Sequence, residues 1–396
     1  MRICLIVDDY MPHSIKVAAK MMHELACEFI NQGHEVTVVT PSPELNQKIE
    51  ISVLDGVTVC RFKSGEIKNV GKVKRAINET LLSYYAWRNF KSYLSDNKHD
   101  IIVYYSPTIF WGAFIKKLKK TWNVPSYLIL RDLFPQWAID QQLIRKDSMI
   151  EKYFRYFEKR NYTVADTIGL MSKKNLEWFE KTATANAKLE VFYNWAANFP
   201  VESKNHYKKE LNIEDKVVYF YGGNIGHAQD MMNIVRLAKS MSFHEEAHFV
   251  LVGAGDEVEL VKNAIEKDNL FNMTLLPSVG QDEFKQMLAE FDVGLFTLHK
   301  DHSTHNFPGK LLGYMVQSLP ILGSINEGND LKEVVESYEA GLITVNGDDE
   351  TLLANAIKFL DEDYRKQIGA NAQELLKSIF SIEAAASQIL SIKGVK

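Results

Sequence analysis

The chain lacks the long apolar runs that membrane-spanning and secreted proteins carry. None of its 396 residues belongs to a run of about 18 apolar residues, the length that a membrane-spanning helix needs. The apolar run Ile3–Val7 near the start is followed by two acids and is too short for a signal peptide. We therefore expect a cytoplasmic protein whose contact with a membrane is peripheral.

Cysteine is scarce as well. The three cysteines, Cys4, Cys27 and Cys60, lie far apart, form no Cys-x-x-Cys pair and have no clustered histidine partners. This spacing excludes a disulfide framework and a structural zinc site, and it predicts reduced core residues. Asp301-His302 has no second cluster of ligands, so we expect no metal. The absence of repeats and low-complexity tracts excludes repeat arrays and a function carried by disorder.

Charge divides the chain unevenly. Residues 1–200 carry 28 Lys and Arg against 21 Asp and Glu, whereas residues 201–396 carry 18 against 30. The strongly acidic second half disfavours nucleic acid as a partner. The length exceeds what one hydrophobic core usually organises, so two domains are expected.

Apolar runs typical of buried strands alternate with helical patterns through both halves. This predicts an α/β fold with two Rossmann-like, doubly wound domains that face a cleft. Regular patterning lapses at Asn194–Glu202, which marks the boundary. The expected domains are 1–198 and 199–376, and a C-terminal segment, 377–396, is expected to cross back onto the first domain.

Glycines follow several predicted strands of the second half. In Tyr221-Gly-Gly-Asn-Ile-Gly226, between a strand and a helix opened by Asp230, small residues would let backbone N–H groups and the helix dipole hold a diphosphate. Val252-Gly-Ala-Gly-Asp-Glu257 and Ser278-Val-Gly280 follow the next strands, so a nucleotide could lie across this sheet edge. Tight packing without a ligand is the alternative interpretation.

Lys310 falls in the first turn of a predicted helix that starts after Phe307 and Pro308. A cation there opposes the helix dipole, so a bound phosphate explains it better than helix stability does. An exposed lysine without a ligand is the alternative.

These motifs resemble, in order, the C-terminal half of family 4 glycosyltransferases of the GT-B type. The segment from Pro308 to Ile321 has the same Pro-x-Lys-x3-Tyr-Met-x4-Pro-Ile pattern. Upstream, Arg131-Asp-Leu-Phe-Pro135, Met171-Ser172 and Tyr193-Asn-Trp195 are similar to landmarks of the same family. The resemblance spans nearly the whole chain and is greatest to enzymes of O-antigen and capsule assembly, in particular N-acetyl-L-fucosamine transferases.

The resemblance implies transfer of a sugar from a nucleotide diphosphate donor, expected to be UDP-linked, to a polyprenyl-diphosphate-linked saccharide. It also implies retention of anomeric configuration and no metal cofactor. The expected donor-binding residues are Gly222, Gly223, Asn224, Ile225, Gly226, Gly253, Val279, Phe307, Pro308, Gly309, Lys310 and Tyr314. The expected catalytic residues are Lys310, Arg131, Asp132 and Lys16, with helix capping as the alternative for Asp132 and simple exposure as the alternative for Lys16.

The chain departs from the family pattern at the ribose contacts, because the two family glutamates fall on His305 and Gly313. Two other functions therefore stay open: a non-hydrolysing nucleotide-sugar epimerase and a non-catalytic sugar-nucleotide-binding subunit.

A basic stretch with aromatic residues, Lys68–Lys98, lies in the first half. It predicts docking to anionic lipid at the inner face of the cytoplasmic membrane through Lys72, Lys74, Arg75 and Trp87. A helix pair packed on the core, with a solvated basic face, is the alternative.

Overall fold

A computed structural model describes residues 1–14, 16–67, 70–183, 185–301 and 307–394 of the chain. The chain forms two compact units. Unit 1 comprises Met1–Tyr193 and the chain from Ile382 onward, and unit 2 comprises Asn194–Ser381. The division after Tyr193 lies five residues before the boundary expected from sequence patterning.

Unit 1 is built on an eight-stranded sheet. Its strands are β1 (Arg2–Ile6), β2 (Glu35–Pro41), β3 (Ile49–Leu54), β4 (Val57–Phe62), β5 (Ile101–Ser106), β6 (Ser126–Leu130), β7 (Thr167–Leu170) and β8 (Lys188–Val191). Their order in the sheet is β3-β4-β2-β1-β5-β6-β7-β8. All neighbours are parallel except β3, which pairs antiparallel with β4. This hairpin is formed by Asp55 and Gly56, which both adopt positive φ as a tight two-residue turn requires.

The helices of unit 1 lie between these strands and at the end of the chain. They are α1 (Val17–Asn31), α2 (Lys72–Thr80), α3 (Leu82–Asp96), α4 (Gly112–Trp122), α5 (Gln136–Asp140), α6 (Met149–Thr163), α7 (Lys173–Thr182) and, from the C-terminus, α16 (Ile382–Leu390). Aromatic side chains such as Trp111, Phe114 and Trp122 fill the core between α3, α4 and the sheet. The C-terminal helix α16 packs on α1.

Unit 2 repeats the architecture with six parallel strands. They are β9 (Val217–Asn224), β10 (Ala247–Ala254), β11 (Met273–Leu276), β12 (Val293–Thr297), β13 (Ile321–Ile325) and β14 (Gly341–Val345), in the order β11-β10-β9-β12-β13-β14. Its helices are α8 (Tyr207–Glu210), α9 (Met231–Ser240), α10 (Val258–Asp268), α11 (Gln281–Glu290), α12 (Lys310–Val316), α13 (Leu331–Ser337), α14 (Asp349–Lys358) and α15 (Glu362–Leu375).

The predicted α/β class with two Rossmann-like domains is confirmed. Continuous β-branched and aromatic runs such as Val217–Tyr221 form strands that are buried on both faces, as parallel sheets require. Among the described residues, no helix combines the length and the apolar character needed to cross a bilayer.

Candidate functional site

The glycines of the unit 2 motifs lie at the carboxyl edge of its sheet, and three of them, Gly222, Gly223 and Gly253, belong to the strands themselves. Strand β9 continues past Tyr221 to Asn224, and Gly223 pairs in register with Gly253 of β10. A Cβ at Gly253 would overlap with the carbonyl oxygen of Gly223, and one at Gly222 would overlap with the ring of Phe284. Gly222 and Gly253 are therefore explained by close packing, which was the alternative interpretation.

Gly223 is different. It is exposed and has a φ of +130°, a backbone conformation that favours glycine. A Cβ at this position would lie 3.5 Å from Nζ of Lys310. Gly223 therefore brings backbone close to the ammonium of Lys310.

Four further residues expected to bind the donor are packing residues. Ile225 is fully buried, its N–H donates to the carbonyl of Ala254 (3.0 Å) and its carbonyl accepts from the N–H of Glu257 (3.0 Å). Tyr314 is fully buried, and its hydroxyl donates to the carbonyl of Leu295 (2.8 Å).

Phe307 is also buried, and its ring packs on that of Phe380 with centroids 4.4 Å apart. Gly226 is buried where a Cβ would crowd the side chains of Asn224 and Asp256. These contacts give Ile225, Tyr314, Phe307 and Gly226 a packing role, and their donor contacts stay predictions.

The start of α9 does not offer the anion site that the sequence suggested. The helix begins at Met231, and the N–H of Met231 donates to the carboxylate of Glu257 at 3.3 Å. The same carboxylate lies 3.5 Å from Nδ1 of His227. A protein carboxylate thus already occupies the place where the helix dipole would hold a phosphate.

Lys310 is the cation at this edge of unit 2. It begins α12, and its ammonium lies 3.5 Å from the ring centroid of Tyr221, a cation–π contact. Within the described ranges no carboxylate pairs with it, and burial lowers its pKa to about 7. A desolvated ammonium without a counter-ion is stabilised by an anionic ligand, so Lys310 stays the strongest candidate for a phosphate contact.

The other expected donor residues lie on three separate segments of unit 2. Pro308 is partly buried, while Gly309 and Asn224 are exposed, and Asn224 donates to the side-chain oxygen of Gln229 (2.7 Å). Val279 lies partly buried in the loop between β11 and α11. Their donor contacts stay predictions. Of the two positions where the family has glutamate, Gly313 lies within α12 and His305 lies outside the described residues.

In unit 1, Arg131 has a structural role instead of the expected catalytic one. Its guanidinium donates to the backbone carbonyls of Phe192 and Tyr193 (2.9 Å to the latter) and packs over the Phe192 ring. Burial lowers its pKa to about 10. The side chain therefore ties the loop after β6 to the chain that follows β8.

Asp132 lies next to Arg131, and burial raises its pKa. It does not cap α5, whose N-cap is Pro135, so the capping alternative is wrong. Asp8, a residue that sequence reasoning missed, lies nearby. Burial raises the pKa of Asp8 to about 6, with a smaller contribution from the negative charge of Asp132. Its position two residues after β1 was the signal that could have identified it.

Lys16 pairs with Asp9, with Nζ 3.0 Å from the carboxylate, and half of its side chain is exposed. The two residues line a pocket of about 420 Å³ in unit 1, together with Asp8, Tyr10, His13, Thr40, Pro41, Ser42, Pro43, Glu44, Arg61, Ser64, Glu66, Ile67, Val70 and Leu82. Neither Thr40 nor Arg61 was singled out from the sequence, because the β3–β4 hairpin that carries Arg61 was not predicted. In the described part of the chain, no three His, Cys, Asp or Glu side chains are grouped so that they could hold a metal ion.

The expected membrane residues are divided by the structure. Lys74 pairs with Glu66 (2.6 Å) and Arg75 with Glu79 (2.8 Å), while the side chain of Lys72 lies outside the described part. Trp87 packs against the core instead of facing solvent, and the ammonium of Lys117 lies over its ring.

Several exposed residues of this region are apolar. Val73 and Ile77 on α2 are 75% and 54% exposed, and Met149, Ile150 and Tyr156 on α6 are also exposed. A contact between the hydroxyls of Thr80 and Tyr153 joins the two helices. The exposed surface thus combines apolar side chains with the surrounding lysines and arginines.

Comparison with known families assigns both halves of the chain. Residues 18–196 match Glycosyltransferase Family 4, and residues 203–375 match Glycosyl transferases group 1. The chain belongs to this glycosyltransferase family. The two matched regions correspond to unit 1 and unit 2, and together they cover most of the sequence.

Two relatives and two solved structures are similar to this glycosyltransferase. The probable glycosyltransferase WbjE of Pseudomonas aeruginosa is 24% identical over 64% of each chain, so the chain spans less than two thirds of that relative. The colanic acid biosynthesis glycosyl transferase WcaI of Escherichia coli K12 is 21% identical over 87% of each chain.

Both structures share the fold. WaaG, a glycosyltransferase involved in lipopolysaccharide biosynthesis, is 14% identical with a TM-score of 0.61, covering 99% of this chain and all of its own. HepE of Anabaena, solved in complex with UDP, is 14% identical with a TM-score of 0.67, covering 99% of each chain.

Proposed function

We propose that the protein transfers a sugar from a UDP-linked donor to a polyprenyl-diphosphate-linked saccharide in O-antigen or capsule synthesis, with N-acetyl-L-fucosamine as the first candidate sugar. The observation that carries the proposal is Lys310, a desolvated cation at the carboxyl edge of unit 2 that no carboxylate of the described residues pairs with. The names of the relatives WbjE and WcaI, and the UDP bound to HepE, support the nucleotide and the pathway class.

Lys310 would bind the diphosphate of the donor. During transfer, negative charge grows on the departing diphosphate, so a cation fixed beside it stabilises the transition state more than the ground state. The exposed backbone at Gly223, next to the ammonium, would lie against the same phosphates. No protein nucleophile is required, which agrees with the retaining reaction expected from the family resemblance.

Asp132 and Asp8 would orient the acceptor hydroxyl at the carboxyl edge of unit 1. Desolvation raises the pKa of both carboxyl groups, so each accepts a hydroxyl proton more readily than a fully solvated aspartate does. Their contribution is mainly positioning of the nucleophilic oxygen.

The apolar surface of α2 and α6 would rest on the inner face of the cytoplasmic membrane, where a polyprenyl-linked acceptor is held. Val73 and Ile77 would enter the headgroup region, and the neighbouring lysines would attract anionic lipid. The main membrane contact proposed here is apolar, whereas the sequence suggested the basic residues. The reason is that Lys74 and Arg75 are paired with acids.

The experiment is incubation of the purified protein and membranes with a panel of radiolabelled UDP-sugars. We expect label in the lipid extract, and mass spectrometry of the lipid-linked oligosaccharide should show one added sugar. Conversion of the donor without transfer would indicate the epimerase instead. Binding of donor with neither product would indicate the non-catalytic subunit.

Lys310→Ala should lower the transfer rate at least about tenfold, equivalent to about 1.4 kcal/mol of transition-state stabilisation. Lys239→Ala, which removes a surface lysine paired with Asp268, is the matched control and should leave the rate unchanged. A Lys310→Ala variant with normal kcat/KM and an intact fold would remove the phosphate role.

A further inference from the structure

The pocket of unit 1 contains a buried arginine whose partners do not explain its charge. Arg61 lies near the end of β4 and is 4% exposed. In the parallel pairing of β2 with β4 it stands directly beside Thr40. Both side chains line the pocket of about 420 Å³ at the carboxyl ends of β1, β2 and β4.

Arg61 makes two side-chain hydrogen bonds, both to neutral oxygens. One guanidinium nitrogen donates to the hydroxyl of Ser52 (3.1 Å) and the other to the carbonyl of Met11 (2.6 Å). A guanidinium has five N–H donors, so three are left without a hydrogen bond among the described residues. Glu50 lies opposite Arg61 on β3 but beyond ion-pair distance. Burial lowers the pKa of Arg61, and the charge of Glu50 opposes this shift only in part. A cation removed from water in this way needs an anion to compensate its desolvation.

Thr40 gives a second, independent indication. Its side chain is 2% exposed, and its hydroxyl has no hydrogen-bond partner in the described part of the structure. Buried hydroxyls are rarely left unpaired, because they lose their hydrogen bonds to water without a replacement. A ligand in the pocket would supply the missing partner.

The carboxylates of the pocket do not neutralise Arg61. Asp9 pairs with Lys16 (3.0 Å), Glu66 pairs with Lys74 (2.6 Å), and Glu44 is exposed. The remaining acid, Asp8, lies beside Lys16 and Asp132 instead. The deepest charge of the pocket is therefore positive.

We propose that this pocket binds a phosphoryl oxyanion of the acceptor, with Arg61 as its charged partner and the hydroxyl of Thr40 as a further donor. The planar guanidinium matches the two oxygens of a phosphoryl group, and its free donors are those that such a contact uses. The inference rests on the proposed function in one respect, namely that unit 1 receives the acceptor. The inference adds that the acceptor has a phosphoryl group close enough to its reacting sugar to bind in this pocket.

The test measures the binding of inorganic pyrophosphate by 31P NMR titration. It is made in the Lys310→Gln background, so that the donor site of unit 2 contributes little. Arg61→Gln should weaken binding at least about tenfold, and Thr40→Val several-fold. Thr40→Ser keeps the hydroxyl and should bind as the parent does, and Arg88→Gln, on the exposed face of α3, is the charge control.

Arg61 also holds the loop after β1 through Met11, so the Arg61→Gln variant could lose its fold. Thr40→Val leaves that contact in place and keeps the proposal falsifiable. Equal pyrophosphate affinity in the parent and Thr40→Val, or in the parent and a folded Arg61→Gln, would overturn it, as would the absence of pyrophosphate binding in the parent.

Competition experiments identify the source of the phosphate. Displacement of pyrophosphate by farnesyl diphosphate would indicate the lipid-linked diphosphate, and displacement by a sugar phosphate would indicate a phosphorylated sugar. Displacement by neither would contradict the assignment to the acceptor. UDP affinity of the wild-type protein, measured separately, depends on unit 2 and shows whether the proposed function itself fails.

Discussion

The two units have similar parallel sheets, but the carboxyl edges of those sheets carry different chemistry. In unit 2 the edge includes glycines, tightly packed apolar residues, the paired carboxylate of Glu257 and the desolvated lysine Lys310. In unit 1 the edge has a polar pocket with acids and with the buried cation Arg61. The first arrangement suits a diphosphate approached by backbone, and the second suits the hydroxyl groups and charges of a saccharide acceptor.

A second comparison concerns buried cations. Arg131 and Lys310 both have pKa values lowered by burial, yet Arg131 donates to two backbone carbonyls, whereas Lys310 lies over an aromatic ring and has no hydrogen-bond acceptor among the described residues. A buried positive charge therefore indicates a ligand only together with a second observation. For Lys310 this is the missing acceptor in the described part of the chain, and for Arg61 it is the unpaired hydroxyl of Thr40.

The largest expected effect comes from a substitution that breaks the packing at the edge of unit 2. Gly253→Ala would push a methyl group into the carbonyl of Gly223 on the neighbouring strand, so we expect a loss of about 3 kcal/mol in the free energy of unfolding. At Gly280, where an added Cβ would meet no heavy atom within 4 Å and φ is not positive, the same change should cost no more than about 1 kcal/mol, because glycine is only moderately better than alanine at the N-cap of α11. Denaturant unfolding measures both, and a stable Gly253→Ala variant would contradict the packing role.

An intermediate effect separates the two buried cations. Arg131→Gln removes the charged donor from two carbonyls, so we expect a loss of about 2 kcal/mol in the free energy of unfolding. Lys310→Gln removes a cation that folding takes out of water, so its melting temperature should be unchanged or higher at pH 7. Thermal unfolding gives the melting temperature of each variant. A larger drop for Lys310→Gln than for Arg131→Gln would contradict the structural role of Arg131 and the ligand role of Lys310.

The smallest expected effect concerns the apolar surface of unit 1. The double variant with Val73→Asp and Ile77→Asp should bind anionic vesicles at least about fivefold more weakly, equivalent to about 1 kcal/mol. The matched control is Ile51→Asp with Val53→Asp, because these residues are also exposed but lie on edge strand β3. Equal losses in vesicle co-sedimentation would show that α2 has no special contact with lipid.

Most of the fold follows from local patterns. The predicted alternation of strands and helices is present because segments such as Ser126–Leu130, Met273–Leu276 and Gln281–Glu290 are short, have a strand or helix pattern and lie between clear breaks. The hairpin of β3 and β4 was missed although Asp55-Gly56 is a strong turn signal and β3 alternates apolar and polar residues, as a half-buried strand does.

The site was only partly predictable, because the partners that decide each role are distant in sequence. Motif spacing identified the edge of unit 2 and Lys310, but it could not show that Tyr314 bonds to Leu295 or that Arg131 bonds to Phe192. Arg61 escaped notice since its significance depends on which acceptors surround it in the folded chain.

The most direct test of the role of Lys310 is the pH dependence of UDP affinity in the wild type and in Lys310→Arg. Only the protonated ammonium attracts the diphosphate, and its pKa is about 7 without ligand, so affinity falls as pH rises through this value. We expect a loss on the order of tenfold between pH 6.5 and 8.5 in the wild type. Arginine stays charged over this range and should bind UDP with little change. Parallel profiles for the two proteins would contradict the assignment of Lys310 as the phosphate-binding cation.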